Sequence, residues 1–460
     1  MDEKELKLSN GDFSINVYAR ELAERRVAIW DEVSGNWRPI AVALSPTIVP
    51  RNSWLALETD ARKILNCFPK AMNWILRSAE VRPETEVFLK TMLSDLSPLE
   101  ASLARITPAV HWGHPTVRLD LFWHLGEIKV IEVNCTIPAM QAYSDNVLSA
   151  WGVAGGRSEA QPSNVDQLLK SLLFAYRSDG GTSARPRIAT LHRFGDSQLG
   201  ELQWIKRRWS ELGIEAVLAT PEHLKKVGDL WMVGETPCEL IYRHIFASKL
   251  QNEDVLTGLR NSRRFHIYNP VSAHYECKAF FAILSHIAAD PDLWGEVGLT
   301  KEEAYAIERR LPWSRVIGGP LASVPAENVE RRLEGLVLKR SVGYGGHHVL
   351  MGDSWFSEDN QARLERLTGM RSPVSFKSFA TWMEQDSSLW VVQERMSGAK
   401  RETDVLTTRG VERWNAWFDA SLFINTAGPP ICSGGVSRIA QSPIVNIGTG
   451  GGLSPFLIDG

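Results

Sequence analysis

Residues 119–134 read LDLFWHLGEIKVIEVN, two apolar, β-rich runs separated by the polar, glycine-containing turn His124-Leu-Gly126-Glu127. That spacing predicts a β-hairpin. Side chains two apart on a strand share a face, so Glu132 and Asn134 point the same way, as do Arg118 and Asp120 on the preceding run. Helical periodicity predicts helices around Ala61–Ala79, Glu84–Leu96, Asn146 and Asn164–Tyr176, the last flanked by Gly/Ser/Pro-rich breaks at 152–157 and 178–187.

The next stretch alternates strand and helix. Arg187–Leu191 reads as a strand, Phe194-Gly-Asp-Ser197 as a turn with N-cap chemistry, Leu199–Leu212 as a helix ended by Gly213, and Ile214–Leu218 and Glu239–Arg243 as further strands. A strand–helix–strand unit of this length predicts a parallel α/β domain, ending near Asn269-Pro270. In the last third, Leu336–Lys339 and His348–Met351 are strand-like around a Gly-rich loop at Ser341–His347. Phe376–Glu384 reads as a helix, and Leu389–Gln393, Gly435–Ala440 and Ile444–Ile447 read as strands before Gly448-Thr-Gly-Gly-Gly452.

A chain of 460 residues is long enough for two or three domains with large cores. Its 51 basic and 54 acidic residues leave a net charge of -3 with no basic stripe, which argues against nucleic acid as a partner. No apolar run reaches the roughly 18 residues a membrane helix needs. The N-terminal MDEKELKLSNGDF is polar and unlike a signal peptide. Cys67, Cys135, Cys238, Cys277 and Cys432 are scattered, odd in number and free of CxxC spacing, against zinc and against a disulfide framework. Together these predict a cytoplasmic protein; a homo-oligomer is left open.

Asp120, Glu132 and Asn134 would offer three hard oxygen donors if the strands pair, a set that suits Mg²⁺, although a surface hairpin can show the same alternation. Lys339 precedes a loop whose Gly343, Gly345 and Gly346 let backbone N–H groups approach phosphate; a plain structural turn explains the loop equally well. Gln393 and Glu394 end an apolar strand and could meet a nucleotide base and ribose. Lys278 opens a predicted helix, as a phosphate ligand or a solvated lysine. Arg438 and Arg118 are strand-borne guanidiniums, equally suited to charge stabilisation or structural ion pairs. His347 and His348 are adjacent on a strand and so cannot chelate together. Arg193 and Asp196 sit at a strand's carboxyl end, as pocket or helix cap, and Cys135 reads as a packed small residue.

The order Arg118-x-Asp120, Glu132-x-Asn134, Lys278, Lys339 with its Gly-rich loop, Gln393-Glu394 and Arg438 resembles the circularly permuted ATP-grasp proteins, the glutathionylspermidine synthetase-like carboxylate–amine ligases. The metal strand precedes the Gly-rich loop here, whereas unpermuted relatives carry it afterwards. The resemblance covers most of residues 111–460. It implies an α/β fold with α+β subdomains: an unassigned mixed region at 1–110, the metal-binding part of an ATP-grasp at 111–180, an inserted pre-ATP-grasp-like parallel domain at 185–275, and a nucleotide-binding part at 276–460.

By that resemblance ATP and Mg²⁺, as two ions, are the cofactors, with Asp120, Glu132 and Asn134 as metal ligands. Lys278, Lys339, Gly343, Tyr344, Gly345, Gly346, Gln393 and Glu394 would hold the nucleotide, and Arg118 and Arg438 would stabilise the transferred charge. The implied reaction joins a small-molecule or peptide carboxylate to an amine through an acyl phosphate, releasing ADP and phosphate. A small-molecule kinase and a non-catalytic nucleotide-binding protein are the alternatives. One departure stands out: Gly450-Gly-Gly452 runs into Leu-Ser-Pro-Phe where many relatives continue with Lys-Asp.

Overall fold

The structure, a computed structural model, describes residues 13–106, 112–124, 126–156, 161–396, 398–428 and 434–459. Leu125 in the expected turn, Arg157, Cys432 and the boundary at 110–111 lie outside the described residues.

Three sheets organise it. The largest has seven strands in the order Ala399–Thr407, Ala41–Ala43, Gly452–Ser454, Gly435–Ala440, Gly410–Ile424, Val117–His124 and Glu127–Asn134. Its last two strands are the expected hairpin, antiparallel, with Asp120 opposite Glu132 and Arg118 opposite Asn134. Ala399–Thr407 pairs both with Ala41–Ala43 and along Gly410–Ile424, so the sheet curls back on itself. The curl closes over a small core of Ala43, Val405, Trp414, Ala416, Phe418 and Ile439. A three-residue strand from the first fifty residues thus sits inside a sheet otherwise built from residues beyond 116.

The second sheet has five strands, ordered Ser323–Val324, Ser314–Ile317, Trp390–Glu394, Leu336–Arg340 and Val349–Met351. The third is parallel: Ile267–Tyr268, Leu240–His244, Ile188–His192 and Ala216–Ala219. Every residue of its two central strands is buried, as a parallel sheet covered on both faces requires. The helix Leu199–Glu211 connects Ile188–His192 to Ala216–Ala219. A small antiparallel meander, Leu224–Val227, Leu230–Val233 and Thr236–Cys238, follows that unit and had no counterpart in the sequence reading.

The 29-residue helix Arg51–Ala79 buries Trp54, Leu57, Ile64, Phe68, Met72 and Ile75 in the main core, which also takes in Val117, Leu119 and Val130 of the hairpin and Phe280 of the helix Lys278–Ala288. That packing fixes the hairpin and Lys278 relative to each other. Trp209 and Trp231 are fully buried core side chains. No helix among the described residues is long and apolar enough to cross a membrane. One expected strand is absent: 444–447 is irregular. Pro443 cannot donate to a ladder, and Asn446 turns the chain by accepting from Gly448 N at 2.8 Å.

Candidate functional site

A cavity of about 390 Å³ lies where the seven-stranded sheet, the five-stranded sheet and the carboxyl end of the parallel sheet meet. Every site residue named from the sequence lines it, together with residues that were not foreseen.

Its floor is a buried quartet of charges. Arg118 Nε and Nη2 donate to the two Asp120 oxygens at 2.7 and 3.2 Å, while Nη1 donates to Ala139 O at 3.2 Å. Arg438 Nη2 reaches Asp120 Oδ2 at 3.0 Å, and Arg438 Nε and Nη2 hold the Asp419 Oδ2 at 3.0 and 2.5 Å. Ser421 Oγ donates to Asp120 Oδ1 at 3.0 Å. Strand register explains the grouping: Asp419 pairs opposite Arg438, and Ser421 opposite Asp120. Burial alone would raise the Asp120 carboxyl, but Arg118 and Arg438 outweigh it and hold it far below the usual range. Asp419 is buried with Arg438 opposing that burial and Asp120's charge nearby, and it is pushed up to about 6.

Beside the quartet, Glu132 accepts from Lys278 Nζ at 3.3 Å, and Asn134 Nδ2 is buried with no hydrogen-bond partner. Among the described residues no group of three or more His, Cys, Asp and Glu could hold a metal ion. The expected Mg²⁺ set takes its third donor from an amide. Glu132, with one ion pair, can offer an oxygen to a hard cation, and Asn134 can do so only through its Oδ1, since the unpartnered Nδ2 is a donor. Asp120 fits only by sharing oxygens already engaged by two arginines and a serine.

Lys278 is the first residue of its helix, the wrong end for a cation. Glu132 and the Gly343 carbonyl, at 2.6 Å from its Nζ, hold it there. Lys339 Nζ donates to Gln393 Oε1 at 2.6 Å, and Gln393 Nε2 to Ser314 Oγ at 3.2 Å. The Gln393 side chain is therefore tied down, whereas Glu394 is exposed. Burial, with help from Lys278, brings the Lys339 ammonium down to about 8, against the pull of Glu132 and Asp120.

The Gly-rich loop joins Leu336–Arg340 to Val349–Met351, and Gly345 and Gly346 take φ of +68° and +74°. It is anchored from two sides. Asn446 Nδ2 donates to Gly345 O at 2.7 Å, and the Tyr344 ring lies 4.6 Å from that of Phe246 beyond the parallel strand Leu240–His244. His347 and His348 both line the cavity.

Arg193 Nη1 pairs with Glu32 at 2.6 Å; Asp196 accepts from Gln198 N at 2.9 Å and lies 3.8 Å from His244 Nδ1. The helix Leu199–Glu211 begins after Gln198 with no side-chain cap, so Asp196 shapes the turn before it and does not cap the helix, while Arg193 and Asp196 both line the cavity. Burial raises the Cys135 thiol well above its usual range, which suits a packed residue. The segment Gly448–Gly452 does not line the cavity; a Cβ on Gly452 would come within 2.3 Å of Ala41 O, so that glycine serves strand packing. Asp419, Glu276 and Asn446 were missed. The i, i+2 pairing of Asp419 with Ser421 in an apolar run was the available signal.

Across 97% of this chain and 96% of the other, at 12% identity and a TM-score of 0.58, the structure superimposes on a glutathione synthetase-like effector from Globodera pallida in its apo form. The chain has a glutathione synthetase-like fold. A candidate γ-glutamylcysteine synthetase from Methylobacillus flagellatus is more loosely similar, at 10% identity and a TM-score of 0.40 over 86% of this chain and 85% of that one. No family model matches the sequence, and no curated protein matches it.

Proposed function

We propose that this glutathione synthetase-like fold is a circularly permuted ATP-grasp enzyme that ligates a carboxylate to an amine at the expense of ATP. One observation carries the reading: Lys278, Lys339, Arg118 and Arg438 converge on one cavity with Glu132 and Asn134, beneath a glycine-rich hairpin. Such a site can bind and neutralise a triphosphate. Phosphoryl transfer needs positioning and charge neutralisation more than covalent help.

In this reading the backbone of 343–346 covers the triphosphate, Lys278 and Lys339 contact phosphate oxygens, and the strand Trp390–Glu394 borders the adenine. The exposed Glu394 is better placed than the engaged Gln393 to meet the nucleoside. Glu132 and Asn134, with Asp120, would hold Mg²⁺, which when bound neutralises phosphate charge. A substrate carboxylate attacks the γ-phosphorus, ADP leaves, and an acyl phosphate forms. Arg118 and Arg438, oriented by Asp120 and Asp419, steady its charge until an amine displaces phosphate. A covered site protects an intermediate that water would destroy.

The test is ADP release from ATP and Mg²⁺ in the presence of pooled amino acids, polyamines and small peptides, with mass spectrometry on every active pool. A product of mass acid plus amine minus water supports the ligase. A phosphorylated acceptor in its place makes the protein a kinase, and nucleotide binding without turnover in any pool makes it a non-catalytic binder.

A further inference from the structure

One buried carboxylate in the cavity wall has no role in the scheme above. Glu276 lies in the short turn before Lys278, is only 6% exposed, and lines the cavity. Its Oε1 accepts from the backbone N–H groups of Cys135 and Thr136, at 2.6 and 2.5 Å, directly after the strand Glu127–Asn134. Its Oε2 is buried with no hydrogen-bond partner. The other buried acids of the wall have partners: Asp120 has Arg118 and Arg438, Asp419 has Arg438, and Asp196 accepts from the Gln198 N–H and lies 3.8 Å from His244 Nδ1. Among the described residues no Lys or Arg comes within ion-pair distance of Glu276. A buried carboxylate oxygen left this way costs free energy that a bound partner recovers.

The surroundings narrow the partner. The Tyr344 hydroxyl of the Gly-rich loop is raised by burial first and then by the Glu276 carboxylate, which it approaches without a well-formed hydrogen bond to Oε2, so an incoming amine meets both groups. The Tyr344 ring packs against Phe246, giving an aromatic wall beside the carboxylate. A carboxylate next to aromatic faces suits an alkylamine, whose N–H groups meet the oxygen and whose carbon chain meets the rings.

We propose that Glu276 is the subsite for the acceptor amine, its Oε2 holding the nitrogen and taking its proton during attack. The proposal rests on the ligase reading and assigns that reaction's second substrate to one wall of the same cavity. In the step, the nitrogen lone pair forms the C–N bond and the acyl C–O bond breaks with its electrons leaving on phosphate. One N–H proton passes to Glu276 Oε2.

Glu276→Gln separates this from a structural role. The amide oxygen can still accept from Cys135 and Thr136, while the –NH₂ places donors where Oε2 would accept from the amine. Hydroxylamine, small and uncharged near neutral pH, traps an acyl phosphate without needing a carboxylate to hold it. Wild type and variant are compared for hydroxamate formation with hydroxylamine, and for amide formation from pooled amino acids, polyamines and peptides. The variant is expected to keep its hydroxamate rate within about twofold and to lose about 10- to 100-fold in kcat/KM for the amine, as loss of a charged hydrogen bond implies. Equal loss of both products, or loss of neither, overturns the amine subsite. So does a wild type that yields hydroxamate but no amide from any pooled amine. A wild type that yields no hydroxamate in any pool instead removes the ligase reading beneath it.

Discussion

Replacing Arg438 with methionine takes one cation from a quartet in which Arg118 and Arg438 balance Asp120 and Asp419, all buried. Asp120 keeps Arg118, but Asp419 loses the partner that donates to it from Nε and Nη2. Removing one member of a buried pair costs about 3–5 kcal/mol, because a charge is left uncompensated. At about 2.1 cal/mol/K per residue, a chain of 460 residues unfolding as one unit has an entropy of roughly 1 kcal/mol/K, so the melting temperature should fall by about 3–5 °C at pH 8. The deficit should also depend on pH in a particular sense. Asp419 already titrates near 6 in the folded protein, above the roughly 3.9 of an unfolded chain. Loss of Arg438, which lowers it, moves it higher still. A raised folded value means that stability from the protonated form is present at low pH and is lost as pH rises through that value. Between pH 8 and pH 5.5 the deficit should therefore narrow, by roughly 1–2 kcal/mol. Asp120, whose value is lowered, stays ionised across this window, and groups outside the quartet cancel in the comparison with wild type. Thermal melts of both proteins at the two pH values decide it. A deficit below about 1 kcal/mol, or one that is flat with pH, refutes the argument from uncompensated buried charge.

Three further outcomes are expected. Glu132→Ala should abolish ADP formation and also lower the melt, by less than Arg438→Met, because it leaves the buried Lys278 ammonium with only the Gly343 carbonyl, while Glu132 itself is partly exposed. ATP affinity, followed by calorimetry, should fall above about pH 8 as Lys339 loses its proton, approaching tenfold per pH unit, and Lys339→Met should be weaker and flat from pH 7 to 9. Gly346→Val forces a branched side chain into φ of +74° and sets its Cβ 2.5 Å from Ile444 Cγ2, so the KM for ATP should rise several-fold. The melt should move little, since the loop lies outside the cores.

Local pattern carried the hairpin at Val117–Asn134, the strand–helix–strand unit from Ile188 to Ala219 and the loop after Lys339, because each is a contiguous segment with its own period and turn chemistry. What escaped depends on partners distant in the chain. Nothing around Ala41–Ala43 announces that it pairs with Gly452–Ser454 and with Ala399–Thr407. Asp419 acquires meaning only when register sets it against Arg438, and Glu276 only when the hairpin's end brings the backbone of Cys135 and Thr136 to it. Residues 444–447 misled in the opposite way: their apolar spacing imitates a strand, but the segment braces the loop through Asn446 and Ile444.

The central claim is that a carboxylate is activated as an acyl phosphate in this cavity. It is tested most directly with an acid substrate from an active pool, labelled with ¹⁸O in its carboxyl group and turned over with ATP, Mg²⁺ and the amine. Mass spectrometry of the inorganic phosphate should show one ¹⁸O transferred per amide formed. An amide formed with unlabelled phosphate, or with the label appearing in AMP, would contradict the account.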